Sequence, residues 1–173
     1  MGSKKYTTII SILFIILLMS TNKQNNEIFP GLVPAPAYIE FVDTNLEIEE
    51  TIRMDYNSED ENLKNMIRLA ESELSDIGYK SSQSNSEQDQ TRLSIRVDHS
   101  ISEAPESYRL NIDPQGIEII GSDHAGTFYG IQTLLQILET SKIKNVPTVK
   151  SLIIIDSPRF KWRGMLLDVA RHM

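Results

Sequence analysis

The chain has 173 residues, which is enough for one ordinary domain, or for one domain plus an incomplete piece of another; 40% of its residues are hydrophobic and 24% are charged. Its formal net charge of −7 argues against DNA or RNA as the main partner, because phosphate binding needs a basic face. The absence of cysteine excludes disulfides and thiolate metal sites, and the three histidines are scattered without ligand spacing. We therefore expect no metal site and no nucleic-acid partner.

The N-terminal residues have the pattern of a secretory signal peptide. Lys4 and Lys5 precede an uncharged apolar stretch over residues 6–20, whose apolar centre is shorter than the roughly 20 residues that span a bilayer comfortably. We predict a signal peptide or N-terminal anchor over residues 1–26. The protein is then exported to the periplasm, the cell surface or the medium, and it contacts a membrane only if this leader stays uncleaved.

The segment that follows predicts an extended run and then strands. Three prolines keep the chain extended before residues 38–41 enter a strand. Residues 46–56 alternate apolar and polar side chains with one slip, which predicts an edge strand.

The period then changes to that of a helix. Apolar side chains recur at intervals of three and four over residues 63–77, which places them on one helical face. Ser58 and Glu61 predict a capping box at the start of this helix, and Gly78 predicts its end. Residues 80–90 contain no apolar side chain and predict a loop.

Two alternating stretches, 92–98 and 107–113, predict further strands. Pro114 and Gly116 have the chemistry of a tight turn, and the apolar residues 117–120 follow at once. Strands joined by so short a turn form an antiparallel hairpin.

A second helix is predicted over residues 121–142, capped by either Ser122 or Asp123. Its apolar face comprises Phe128, Ile131, Leu134, Leu135 and Leu138. Gly126 and Gly130 lie four apart, on one side of the helix, where they allow close approach to a sheet. Their spacing matches neither glycine motif for phosphate, so we interpret them as packing residues.

Residues 152–155 predict a last buried strand, which Pro158 ends. The prediction is therefore an α+β domain over residues 28–157, with four or five strands in a mostly antiparallel sheet and two amphipathic helices on one face.

Two stretches, "HAGTFYGIQTLLQIL" and "DSPRFKWRGMLLDVARH", resemble the bridge between the accessory domain and the catalytic barrel of family 20 glycoside hydrolases, the β-N-acetylhexosaminidases. The resemblance implies that residues 28–157 are the N-terminal accessory domain. It also implies that residues 158–173 form the first strand of an incomplete (β/α)8 barrel.

Within that strand, Arg171 matches the arginine with which the family holds hydroxyls of a terminal N-acetylhexosamine. A guanidinium suits this role because its rigid fork of donors can bind two neighbouring sugar oxygens. Without the resemblance, an ion pair at a strand end would be the preferred interpretation. We assign no role in binding to Asp168 or His172, and we expect Trp162 and Arg163 to contact the domain junction rather than sugar.

The family's reaction is retaining and substrate-assisted, and it needs an Asp-Glu pair from a later barrel strand, with no metal or organic cofactor. No Asp-Glu dipeptide in a glycine-rich context occurs in this sequence, so we expect no catalytic residue in this chain. We expect this chain to be a fragment of a longer exported enzyme and to be inactive alone. The whole enzyme is expected to act on carbohydrate with terminal N-acetylhexosamine. The alternative is a stand-alone accessory module that binds carbohydrate or protein without catalysis.

Overall fold

The computed structural model describes residues 31–83, 90–143 and 147–164. These residues form one β-sheet and two helices, which pack against each other and bury side chains in a single core. The strands are β1 (Tyr38–Glu47), β2 (Thr51–Tyr56), β3 (Lys80–Ser82), β4 (Gln90–Val97), β5 (Tyr108–Asp113), β6 (Gly116–Gly121) and β7 (Thr148–Asp156). The helices are α1 (Glu61–Asp76), between β2 and β3, and α2 (His124–Ile143), between β6 and β7. The α+β class with two helices on one face is confirmed.

The sheet is mixed, which corrects the prediction of a mostly antiparallel sheet. The strand order is β1-β7-β5-β6-β4-β2-β3. In the described part of the chain, the three junctions from β1 to β6 are antiparallel and the three from β6 to β3 are parallel. The sequence reveals the hairpin of β5 and β6 through its two-residue turn. The parallel pairs arise through longer connections, including α1, and carry no comparable local signal.

The stretch predicted as one edge strand, 46–56, is divided between two strands. The chain leaves β1 at Glu47 and enters β2 at Thr51, and β2 lies inside the sheet between β4 and β3. The slip in the alternation is therefore the break between the two strands. In addition, Lys80–Ser82 of the predicted polar loop forms the short edge strand β3, paired with the start of β2.

Helix α1 begins at a different cap from the one predicted. The carboxylate of Asp60 accepts hydrogen bonds from the backbone N–H groups of Asn62 and Leu63, both at 3.0 Å, so the predicted capping box of Ser58 and Glu61 is wrong. Its end is confirmed at Gly78, whose φ of +89° suits glycine.

Helix α2 packs closely on the sheet through its glycines, as predicted. A Cβ added to Gly126 would lie 2.1 Å from the carbonyl oxygen of Ser107, and one added to Gly130 would lie 2.7 Å from a methyl carbon of Ile119. The predicted apolar face is buried except for Phe128, which is half-buried. A Cβ at Gly126 would therefore clash with the backbone just before β5, and one at Gly130 would clash with a core side chain of β6.

The core lies between the two helices and one face of the sheet. Its large, fully buried side chains are Ile52, Leu63, Ile67, Leu74, Ile95, Leu110, Ile112, Ile119, Leu134, Ile137, Leu138 and Leu152. Among the described residues, neither helix has the length and apolarity needed to cross a membrane. The predicted leader, residues 1–26, lies outside the described residues.

Candidate functional site at the junction edge

One edge of the sheet gathers the polar side chains that are candidates for function. The parallel strands β2, β4 and β6 all end at this edge, and both helices begin there. The last residue of β7, Asp156, pairs with Tyr108 beside the end of β6, so residues 157–164 leave the sheet at the same edge. We name this region the junction edge. Carboxyl ends of parallel strands are where α/β sheets usually place ligands.

Asp123 ties the loop that follows β4 to the start of α2. One of its carboxylate oxygens accepts from the N–H of Gly126 at 2.8 Å, which caps the helix, and the other accepts from the N–H of Glu106 at 2.8 Å. Asp123, and not Ser122, is therefore the cap. Ser122 instead exchanges hydrogen bonds with Ser107: its N–H donates to the Ser107 carbonyl at 2.9 Å, and its hydroxyl accepts from the Ser107 N–H at 3.1 Å.

Arg163 folds back from the departing segment onto this loop. Its guanidinium forms a salt bridge with the carboxylate of Glu106 and lies 5.7 Å from the centre of the Tyr129 ring. The Tyr129 hydroxyl donates to the same carboxylate at 3.3 Å. Arg163 therefore connects the departing segment to the loop before β5 and to α2; its predicted place at a domain junction stays a prediction. Two residues near it, Phe160 and Trp162, are 72% and 96% exposed.

Two of the three histidines lie at the junction edge, and each has a partner within the domain. His124 Nε2 is 2.7 Å from the second carboxylate oxygen of Asp60, and His99 Nδ1 contacts the Ser122 carbonyl oxygen. The Leu63 N–H and His124 hold the pKa of Asp60 below its usual value of 3.8. Within the described ranges, no group of three or more acidic, histidine or cysteine side chains could hold a metal ion.

The sheet face opposite the helices carries a shallow concavity. It is lined by Tyr38, Glu40, Arg109, Asn111, Glu118, Ile153 and Ile155. The Tyr38 hydroxyl donates to Glu40 at 2.7 Å, and this bond, together with burial, raises the pKa of the phenol. The concavity is open to solvent, and its polar groups can hydrogen-bond a ligand.

The predicted substrate-binding residue, Arg171, lies outside the described residues, as do Asp168 and His172. The only Asp-Glu dipeptide in the sequence is Asp60-Glu61, and the structure commits Asp60 to the cap of α1 and to His124. Sequence reasoning did not single out Glu106, because no local pattern predicts a glutamate with φ of +60° ahead of a strand.

The comparison with known proteins identifies the family. A model described as glycosyl hydrolase family 20, domain 2, matches residues 29–157. A β-hexosaminidase of Porphyromonas gingivalis is 33% identical over 149 residues, which are 82% of this chain and 19% of the relative. A β-hexosaminidase of Vibrio vulnificus is 41% identical over 66 residues, 38% of this chain and 7% of the relative.

Solved structures agree with these sequence matches. The exo-β-N-acetylglucosaminidase of Vibrio harveyi in complex with N-acetylglucosamine superposes with a TM-score of 0.63 at 28% identity, over 83% of this chain and 21% of that one. The β-N-acetylhexosaminidase of Bacteroides fragilis superposes with a TM-score of 0.58 at 27% identity, over 78% and 26%. The chain belongs to glycosyl hydrolase family 20. It spans at most about a fifth of the length of the two sequence relatives above.

Proposed function

We propose that this chain is the N-terminal part of an exported β-N-acetylhexosaminidase. Residues 28–157 are its accessory domain, and residues 158–173 begin its catalytic (β/α)8 barrel. The observation that carries the proposal is the family match over residues 29–157, together with relatives that are themselves β-hexosaminidases. The substrate we propose is a carbohydrate with a terminal N-acetylhexosamine, since the similar Vibrio harveyi enzyme binds N-acetylglucosamine.

In the proposed enzyme, the accessory domain carries no reacting group. Arg171 holds sugar hydroxyls through its planar fork of donors, at the carboxyl end of the first barrel strand. The substrate's own acetamide oxygen attacks the anomeric carbon, and an Asp-Glu pair orients that amide and transfers the proton. Asp60-Glu61 does not supply this pair, because Asp60 already accepts hydrogen bonds from two backbone N–H groups and contacts His124.

The direct test is hydrolysis of a chromogenic N-acetylglucosaminide by the purified 173-residue chain. We expect no release above the buffer rate, and any release that scales with protein concentration would refute the proposal for this chain. Retention of a labelled N-acetylglucosamine oligosaccharide without hydrolysis would instead favour the stand-alone binding module.

The second test is the intact mass and terminal sequence of the native product in fractions of its own cells. A product in an exported fraction that begins near residues 21–27 and continues beyond Met173 supports the proposed enzyme. In that longer product, Arg171→Ala should raise KM for the chromogenic substrate. Arg171→Lys is the matched control, because it keeps the charge and removes the fork, and it should recover only part of the loss.

A further inference from the structure

Glu106 has a backbone conformation that glycine would adopt more easily. Its φ is +60°, in the left-handed region that side chains with a Cβ disfavour. The Asp123 carboxylate holds this conformation by accepting the Glu106 N–H at 2.8 Å, and the paired hydrogen bonds of Ser107 and Ser122 fix the next residue. The surrounding hydrogen bonds therefore fix the backbone position from which the Glu106 side chain extends.

The Glu106 carboxylate binds the segment that leaves the domain. It accepts a charged hydrogen bond from Arg163 and a second bond from the Tyr129 hydroxyl, and the Arg163 guanidinium also lies near the face of the Tyr129 ring. The side chains of Arg163 and Glu106 are 40% and 33% exposed, so the pair is partly shielded from water. Strain at a non-glycine residue that places a charged group in this way is typical of a functional position.

We propose that Glu106 is a positioning residue that fixes, through Arg163, the place and direction in which the chain leaves the accessory domain. The consequence for the enzyme rests on the proposed function, because Arg171 follows Arg163 by eight residues and is the proposed sugar-binding group. The anchoring itself does not depend on catalysis. It can therefore be measured in the 173-residue chain, without substrate.

The sequence provides two reporters of the anchoring. Trp162 is the only tryptophan, so its fluorescence anisotropy reports the motion of the segment beside Arg163. Trypsin cleavage after Arg163 reports how often that side chain is released from Glu106. We expect Glu106→Gln to accelerate this cleavage about fivefold, the size of a partly exposed ion pair, and to add a fast component to the Trp162 anisotropy decay.

Three further variants distinguish the effect of the Glu106 carboxylate from the effect of the backbone conformation and from a general effect of charge in this loop. Glu103→Gln removes an exposed carboxylate from the same loop and should behave as the wild type. Glycine suits the positive φ at position 106, so the unfolding midpoint of Glu106→Gly should be at least as high as that of the wild type. Because the carboxylate is gone, the segment that carries Arg163 should nevertheless be released. Exchanging the charges, by Glu106→Lys together with Arg163→Glu, should restore the slow anisotropy decay of Trp162. That double variant loses the trypsin site at position 163 and gains one at position 106, so anisotropy alone is used.

The outcomes are decisive in either direction. Wild-type cleavage and anisotropy in both Glu106→Gln and Glu106→Gly would overturn the proposal, as would equal effects of Glu103→Gln and Glu106→Gln. Release in the two Glu106 variants with recovery in the exchanged pair would support it. Activity in the hydrolysis assay would refute the inactivity of this chain and leave the anchoring measurement unaffected, so the two proposals fail separately.

Discussion

The two helices of this domain are held in different ways. Helix α1 is amphipathic: it buries Leu63, Ile67, Ala70 and Leu74 and exposes most of the remaining side chains, and Asp60 caps its start. Helix α2 is apolar around most of its circumference and approaches the sheet through Gly126 and Gly130. The position of α1 thus depends on ordinary side-chain burial and a cap. The position of α2 depends in addition on two places where no side chain fits.

The largest effect that tests this comparison is expected for Gly126→Ala. Alanine normally stabilises a helix interior by about 1 kcal/mol relative to glycine. Here its Cβ would lie 2.1 Å from the Ser107 carbonyl oxygen, which is backbone and cannot rotate away. We expect a loss of about 3 kcal/mol or more in the free energy of unfolding, measured by urea denaturation.

The control for this change is Gly164→Ala, because a Cβ at Gly164 would meet no atom within 4 Å. It should change the free energy of unfolding by less than about 0.5 kcal/mol. If Gly126→Ala were as stable as Gly164→Ala, α2 would lie farther from β5 than the structure places it, and the contrast between the helices would be lost.

The local features of the fold were predictable because short stretches of sequence determine them. The apolar period of α1, the stop at Gly78 and the two-residue turn between β5 and β6 each involve residues close together in the chain. The packing role of Gly126 was also predictable, because a glycine inside a helix lowers helix propensity and so indicates close approach.

The order and direction of the strands were not predictable in the same way. Ile52 pairs with Thr91 and Ser81, residues far from it in the sequence, and no local pattern encodes those partners. The contact between Asp60 and His124 depends on the fold in the same way, because 64 residues separate the two. Glu106 and Arg163 are likewise 57 residues apart. The candidate site therefore needed the structure, whereas the family could be recognised from the sequence.

The next largest effect compares one buried leucine from each helix. Leu74 in α1 and Leu138 in α2 are 1% and 0% exposed. Replacing either with alanine should lower the free energy of unfolding by about 3 kcal/mol, because each change leaves a cavity in the same core. Leu69→Ala is the control on α1: this side chain is 46% exposed, and its loss should be below about 1 kcal/mol. A loss at Leu74 no greater than at Leu69 would mean that α1 is not packed on the sheet.

The smallest effect concerns the cap of α1 and depends on pH. The Leu63 N–H and His124 lower the pKa of Asp60 in the folded protein below 3.8, so the unfolded state binds the proton more tightly. The stabilisation is therefore complete above that value and is lost as the pH falls through the lower pKa of the folded state.

Asp60→Ala should lower the thermal midpoint at neutral pH by a few degrees, and Asp60→Asn by less, because asparagine keeps an acceptor for the cap. Thermal unfolding should be followed from neutral to strongly acidic pH. The difference in thermal midpoint between wild type and Asp60→Asn should disappear below about pH 4. A gap that stayed constant to the lowest pH would show that the charge of Asp60 does not stabilise α1, and that its cap, like the glycine contacts of α2, acts through geometry alone.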